Sequence, residues 1–134
     1  MFLSDYSYYE KTKGNFTSKR KIKYAGVHLI VEFWGCKKIE SLKEIKKILV
    51  EATKKSRATL LSIQVHKFSP QGISGAVLLA ESHISIHSWP ELNYLAVDIF
   101  TCGKKVKPEI AIRVLRQHFQ PKKVRIIKIK RGKA

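Results

Sequence analysis

Residues 58–101, ATLLSIQVHKFSPQGISGAVLLAESHISIHSWPELNYLAVDIFT, alternate short apolar and β-branched runs with turn signals. The turns are Ser69-Pro70-Gln71-Gly72, then Glu81-Ser82, then Trp89-Pro90-Glu91-Leu92-Asn93. Runs of this length with this punctuation predict four successive strands in a mostly antiparallel sheet.

On the N-terminal side, Ala25–Trp34 is rich in β-branched and aromatic residues and stops at Gly35, which predicts a further strand. Ser41 and Glu44 have the spacing of a capping box, so a helix follows. Leu42, Ile45, Leu49 and Ala52 form its apolar face and Lys43, Lys46, Lys47, Lys54 and Lys55 the rest. On the C-terminal side, Pro108 suits the first turn of a second helix, since it lacks only an amide hydrogen that has no partner there. Ile110, Ala111, Val114, Leu115 and Phe119 make that helix's stripe, and Pro121 ends it. Val124, Ile126, Ile127 and Ile129 among lysines predict a last strand at a sheet edge, where lysine discourages pairing with another chain. The order is β-α-ββββ-α-β. The expected fold is α+β, a two-layer sandwich with both helices on one face of the sheet. The other face then lacks a cover, so a dimer in an αββα arrangement is expected.

A chain of 134 residues with 44% hydrophobic and 28% charged residues suits one packed domain rather than a disordered or fibrous protein. The longest apolar run, Gly75–Ala80, is far too short to span a bilayer, and nothing at the N-terminus reads as an export signal. A cytoplasmic protein with free Cys36 and Cys102 is expected. The Cys and His positions match no zinc spacing, so no metal is expected. The net charge of +17 gathers at the two ends. Such charge raises non-specific affinity for polyanions, and lysine-rich surfaces also accompany solubility and growth in heat. No specific nucleic acid and no membrane partner follow from it. Residues 1–24 show no periodicity and read as a basic, mobile N-terminal extension; residues 25–134 read as the domain.

Chemistry concentrates in Ala80–Glu91, where histidines, serines, glutamates and a tryptophan crowd a predicted strand. Period-two alternation sets His83, Ser85 and His87 on one side and Ile84, Ile86 and Ser88 on the other. Taken singly, Ser82 is an ordinary turn serine, His87 a satisfied structural histidine and Cys102 a small buried hydrophobe.

In combination they carry more. Glu81-Ser82-His83, Ile86-His87-Ser88-Trp89-Pro90-Glu91 and Val97-Asp98-Ile99-Phe100-Thr101-Cys102-Gly103, with Gly72-Ile73-Ser74-Gly75 upstream, resemble the signature of the prokaryotic S-adenosylmethionine decarboxylases. The resemblance runs from about Gly26 to Gly132. It implies self-cleavage between Glu81 and Ser82 into a β chain, residues 1–81, and an α chain, residues 82–134. Ser82 would become a pyruvoyl cofactor, which forms a Schiff base with the substrate and serves as the electron sink that decarboxylation requires. It also implies that His87 abstracts a proton during cleavage, that Ser74 assists and that Cys102 returns a proton to the product. Phe68 and Trp89 would stack on adenine and Glu91 would bind ribose, in a homodimer of αβ pairs whose product feeds spermidine synthesis.

The sequence departs from that pattern at Leu92-Asn93, where an aromatic-glycine pair is usual, and at Ser88 and Glu109, where threonine and tryptophan are common. Two alternatives stay open. One is a pyruvoyl-dependent arginine decarboxylase of the same family, and the other is a non-catalytic regulatory or RNA-binding paralogue.

Overall fold

The computed structural model describes residues 23–133, together with the backbone of two short strands before them. Those are β1 (Tyr9–Glu10) and β2 (Arg20–Lys21), which pair antiparallel with each other. The expectation of a mobile extension otherwise lies outside the described residues. The domain continues as β3 (Gly26–Trp34), α1 (Leu42–Lys55), β4 (Leu60–Lys67), β5 (Ile73–Leu79), β6 (Ser82–Trp89), β7 (Tyr94–Thr101), α2 (Pro108–Phe119) and β8 (Lys123–Arg131). This is the β-α-ββββ-α-β order read from the sequence. The strands form one six-stranded sheet in the order β4-β5-β6-β7-β3-β8, with every pair antiparallel. The lysine-rich last strand does lie at an edge.

Alternation decides which face is covered. Val27, Leu29, Val31 and Phe33 of β3, Leu95, Val97 and Ile99 of β7, and Ile84 and Ile86 of β6 are buried on the side that carries the helices. α1 packs on β4 and β5 and against α2. Ser41 caps α1 by accepting the Glu44 amide at 3.2 Å. The buried stripe of α1 also takes in Ile48 and Thr53, while Leu42 is only partly buried, because the helix touches both the sheet and α2. On α2, Ile112 rather than Ile110 is buried, which turns that stripe toward the sheet.

At Gly75 a side chain has no room: a Cβ would sit 2.9 Å from Leu49 Cδ1, so the glycine lets α1 approach the sheet. Asn93 takes a left-handed conformation with φ 50°, which asparagine tolerates better than most residues, so it does there what a glycine would do. No helix among the described residues is long and apolar enough to cross a membrane.

Phe33 is fully buried at the centre of the core. Phe33→Ala is expected to cost about 3–5 kcal/mol of unfolding free energy, from lost transfer energy and the cavity left behind. Urea denaturation of the two proteins measures it.

Candidate active site

Strand β6 carries most of the chemistry, and its pleat sorts the residues as alternation predicts. Ile84 and Ile86 point into the core, and His83, Ser85 and His87 lie on the opposite, helix-free face. The candidate residues fall into two groups, one at each end of the strand.

At the first end, β5 turns into β6 through Ala80 and Glu81. Three contacts fix that turn: the Ala80 amide donates to the Thr59 carbonyl at 2.9 Å, the Thr59 amide donates to the Glu81 carboxylate at 2.7 Å, and the Cys102 amide donates to the Glu81 carbonyl at 3.0 Å. Glu81 is thereby held by its side chain on one side and by its backbone oxygen on the other. The next residue, Ser82, has φ 138°, outside the region that L side chains favour, at a cost on the order of 1–3 kcal/mol. The twist brings Ser82 Oγ to 3.1 Å from His83 Nδ1.

His83 itself is half-buried. Burial pushes its imidazole below the ordinary value of 6.5; His28 pushes the same way, Asp98 opposes and Arg131 adds to the lowering. His28 Nε2 donates to the Asp98 carboxylate at 2.9 Å, the Phe100 ring lies between the two histidines, and Arg131 covers that ring at 4.7 Å. Cys102 is 2% exposed, one residue beyond Thr101, the β7 partner of Ser82. Both cysteines are free thiols, and burial pushes Cys36 up to about 11, which removes it as a nucleophile near neutral pH.

At the other end, Ser74 of β5 and His87 of β6 are direct partners across the sheet, with Ser74 Oγ 2.5 Å from His87 Nδ1. Phe68 and Trp89 flank the His87 ring at centroid distances of 5.6 and 3.9 Å. Tyr94 continues the aromatic row beyond Trp89 at 5.6 Å, and Trp34 beyond it at 5.9 Å. The Tyr94 hydroxyl donates to Glu32 at 2.6 Å, and burial together with that carboxylate pushes its pKa up to about 12. Glu91 is exposed on the short 3-10 turn Pro90–Leu92, where Gln71 donates to it at 3.3 Å. Between the two ends an open hollow of about 420 Å³ is lined by His66, Ser74, Ser85, His87 and Asp98, among others.

The candidate residues thus divide. Glu81, Ser82 and Cys102 share one end; Ser74, His87, Phe68, Trp89 and Glu91 share the other. Ser82 and His87 are five residues apart on an extended strand, about 17 Å. Sequence reasoning set His83 aside and overlooked Tyr94 and Trp34. The adjacency of a serine and a histidine was visible, but not the φ that turns one side chain toward the other.

Comparison with known proteins places the chain in a family. The sequence profile of the S-adenosylmethionine decarboxylase family matches residues 27–132. The S-adenosylmethionine decarboxylase proenzyme of Methanococcus vannielii is 51% identical over 113 residues, covering 83% of this chain and 93% of that protein. The corresponding proenzyme of Thermomicrobium roseum is 46% identical over 112 residues, covering 83% and 97%. The crystal structure of the adenosylmethionine decarboxylase from Aquifex aeolicus VF5 superposes with a TM-score of 0.74 at 36% identity, covering 80% of this chain and 90% of that one. With its fold and residues 27–132 matched, the chain belongs to the S-adenosylmethionine decarboxylase family.

Proposed function

We propose that this chain decarboxylates S-adenosylmethionine with a pyruvoyl group that it makes from Ser82, yielding the aminopropyl donor for spermidine synthesis. In this reading residues 1–24 are an extension and residues 25–134 are the decarboxylase domain. Self-cleavage divides the chain into residues 1–81 and 82–134. The observation that carries it is the Glu81-Ser82 junction. A serine at φ 138° follows a carbonyl that is held by the Cys102 amide at 3.0 Å. That amide polarises the carbon the hydroxyl attacks and stabilises the negative charge that develops on the oxygen.

When formed, the pyruvoyl carbonyl supplies the electron sink that no side chain offers. The chain's own residues do the rest. In this reading Cys102, buried beside the junction, returns a proton to the product. Phe68 and Trp89 offer faces for an adenine, and Glu91 offers a carboxylate for ribose hydroxyls. Aromatic faces and the half-exposed Asp98 carboxylate suit a sulfonium cation. Free thiols and a soluble substrate agree with a cytoplasmic enzyme.

One chain cannot hold the whole site, because His87 stands about 17 Å along the strand from Ser82. A second copy resolves this. The helix-free face exposes Leu78 (54%) on β5 and Ile127 (38%) and Ile129 (41%) on β8, an apolar surface that calls for a cover. Two such faces stacked about a two-fold axis that runs across the strands bring the Ser82 end of one β6 over the His87 end of the other. Face-to-face sheets lie about 10 Å apart, within reach of side chains from both sides. The proposed active unit is therefore a homodimer of αβ pairs in which Ser82 and Cys102 of one copy meet Ser74 and His87 of the other.

An intact-mass spectrum under denaturing conditions tests the cleavage. Two fragments meeting at Glu81 and Ser82, the second with a pyruvoyl terminus, are expected. The cleaved protein should then release carbon dioxide from S-adenosylmethionine and not from arginine in parallel assays. A single uncut chain that releases none would overturn the proposal.

A further inference from the structure

We infer that His83 is the base that starts self-cleavage, taking the Ser82 hydroxyl proton as Oγ attacks the Glu81 carbonyl; this rests on the self-cleavage reading above. The geometry is direct. His83 Nδ1 lies 3.1 Å from Ser82 Oγ, the distance of a hydrogen bond that a neutral imidazole with its proton on Nε2 accepts. His87, by contrast, is engaged with Ser74 at the far end of the strand.

The step balances with no outside reagent. The hydroxyl proton moves to Nδ1, Oγ bonds to the Glu81 carbonyl carbon, and the carbonyl electron pair moves to the oxygen that the Cys102 amide holds. On collapse the Glu81–Ser82 carbon–nitrogen bond breaks and the electron pair stays on the Ser82 nitrogen. That nitrogen takes the proton back from Nδ1. The product is an ester between Glu81 and Ser82 Oγ with a free amine, and His83 ends neutral as it began. Later removal of the Ser82 α-hydrogen, the task assigned to His87, acts on that ester.

The surroundings keep His83 ready for this. His28 and Asp98 face it from β3 and β7 and Arg131 from β8, while its β5 partner Leu78 carries no charge. Burial, with His28 and Arg131 acting the same way against Asp98, favours the neutral ring, which is the form that accepts a proton. The midpoint of the fall in cleavage rate on acidification should then lie below pH 6.5, because the imidazole titrates below that ordinary value.

The test follows cleavage by intact mass after cell-free synthesis of the full chain. His83→Ala and His83→Asn should slow cleavage about 100-fold, the usual size of a lost general base. Added imidazole should restore part of the rate in His83→Ala, which a merely structural role would not allow. Hydroxylamine, which cuts esters, should cut His87→Ala at the Glu81–Ser82 junction and leave His83→Ala intact. Melting temperatures of the variants report separately on folding. Cleavage of either His83 variant at the wild-type rate overturns the inference, as does hydroxylamine cutting His83→Ala as readily as His87→Ala. An uncut wild-type chain defeats the self-cleavage reading itself.

Discussion

If Ser82 is the pyruvoyl precursor proposed above, Ser82→Ala should leave one uncut chain of 15.4 kDa with no decarboxylation, a loss of at least about a millionfold, since the variant would lack its electron sink. A weakened site would show residual turnover; a site without an electron sink has only the uncatalysed rate. Ser82→Cys keeps a nucleophile at the same position, so it should be cut slowly and regain a fraction of the activity. Ser82→Gly separates chemistry from strain. It too stays uncut, but glycine accepts φ 138° without penalty, so it should melt higher than the uncut Ser82→Ala chain. Intact mass, carbon dioxide release and calorimetry on the three variants decide it. Cleavage of Ser82→Ala at the same junction would mean that some other group attacks Glu81.

The second large effect is restoration. Ser82→Ala and His87→Ala homodimers should each remain uncut and inactive. Co-expressed, they form mixed dimers in which one composite site takes Ser82 from one copy and His87 from the other, both unaltered. In those mixed dimers the His87→Ala chain is cut. With random association about half of all His87→Ala chains reach that state, while the Ser82→Ala chains stay whole. Mass spectrometry distinguishes the two chains directly. If cleavage used His87 of the same chain, the mixture would be as inert as its components.

The layer structure was open to reading because local signals agreed with one another. The Ser41 cap, the Pro108 start and the alternation of His83, Ser85 and His87 all survive in three dimensions. Asn93, one of the residues by which the sequence departs from the pattern it resembles, holds a left-handed turn that asparagine tolerates better than most residues. The candidate site was legible only in part. Motif spacing lists Ser82 and His87 together, while strand geometry separates them, and that separation follows from the same period-two pattern once distance as well as side is counted. Nothing in the letters Glu-Ser-His announces a φ of 138° at Ser82, nor the contacts that Thr59 and Cys102, distant in sequence, make with Glu81 before it. His83 was therefore invisible as a partner of Ser82.

The sheet order β4-β5-β6-β7-β3-β8 bears on what becomes of the molecule once the Glu81–Ser82 link is broken. The first fragment owns β3, β4 and β5, and the second owns β6, β7 and β8. β3 is threaded between β7 and β8, so the fragments interleave rather than lie side by side. Pulling them apart breaks three ladders at once: β5 from β6, β7 from β3, and β3 from β8. A nicked protein would stay whole while folded, yet its melting would release the two fragments as well as the partners of the proposed dimer, so its midpoint should depend more steeply on protein concentration than that of an uncut variant. An uncut chain carries all six strands of the sheet on one backbone, whereas a cut one would have to find its other half again.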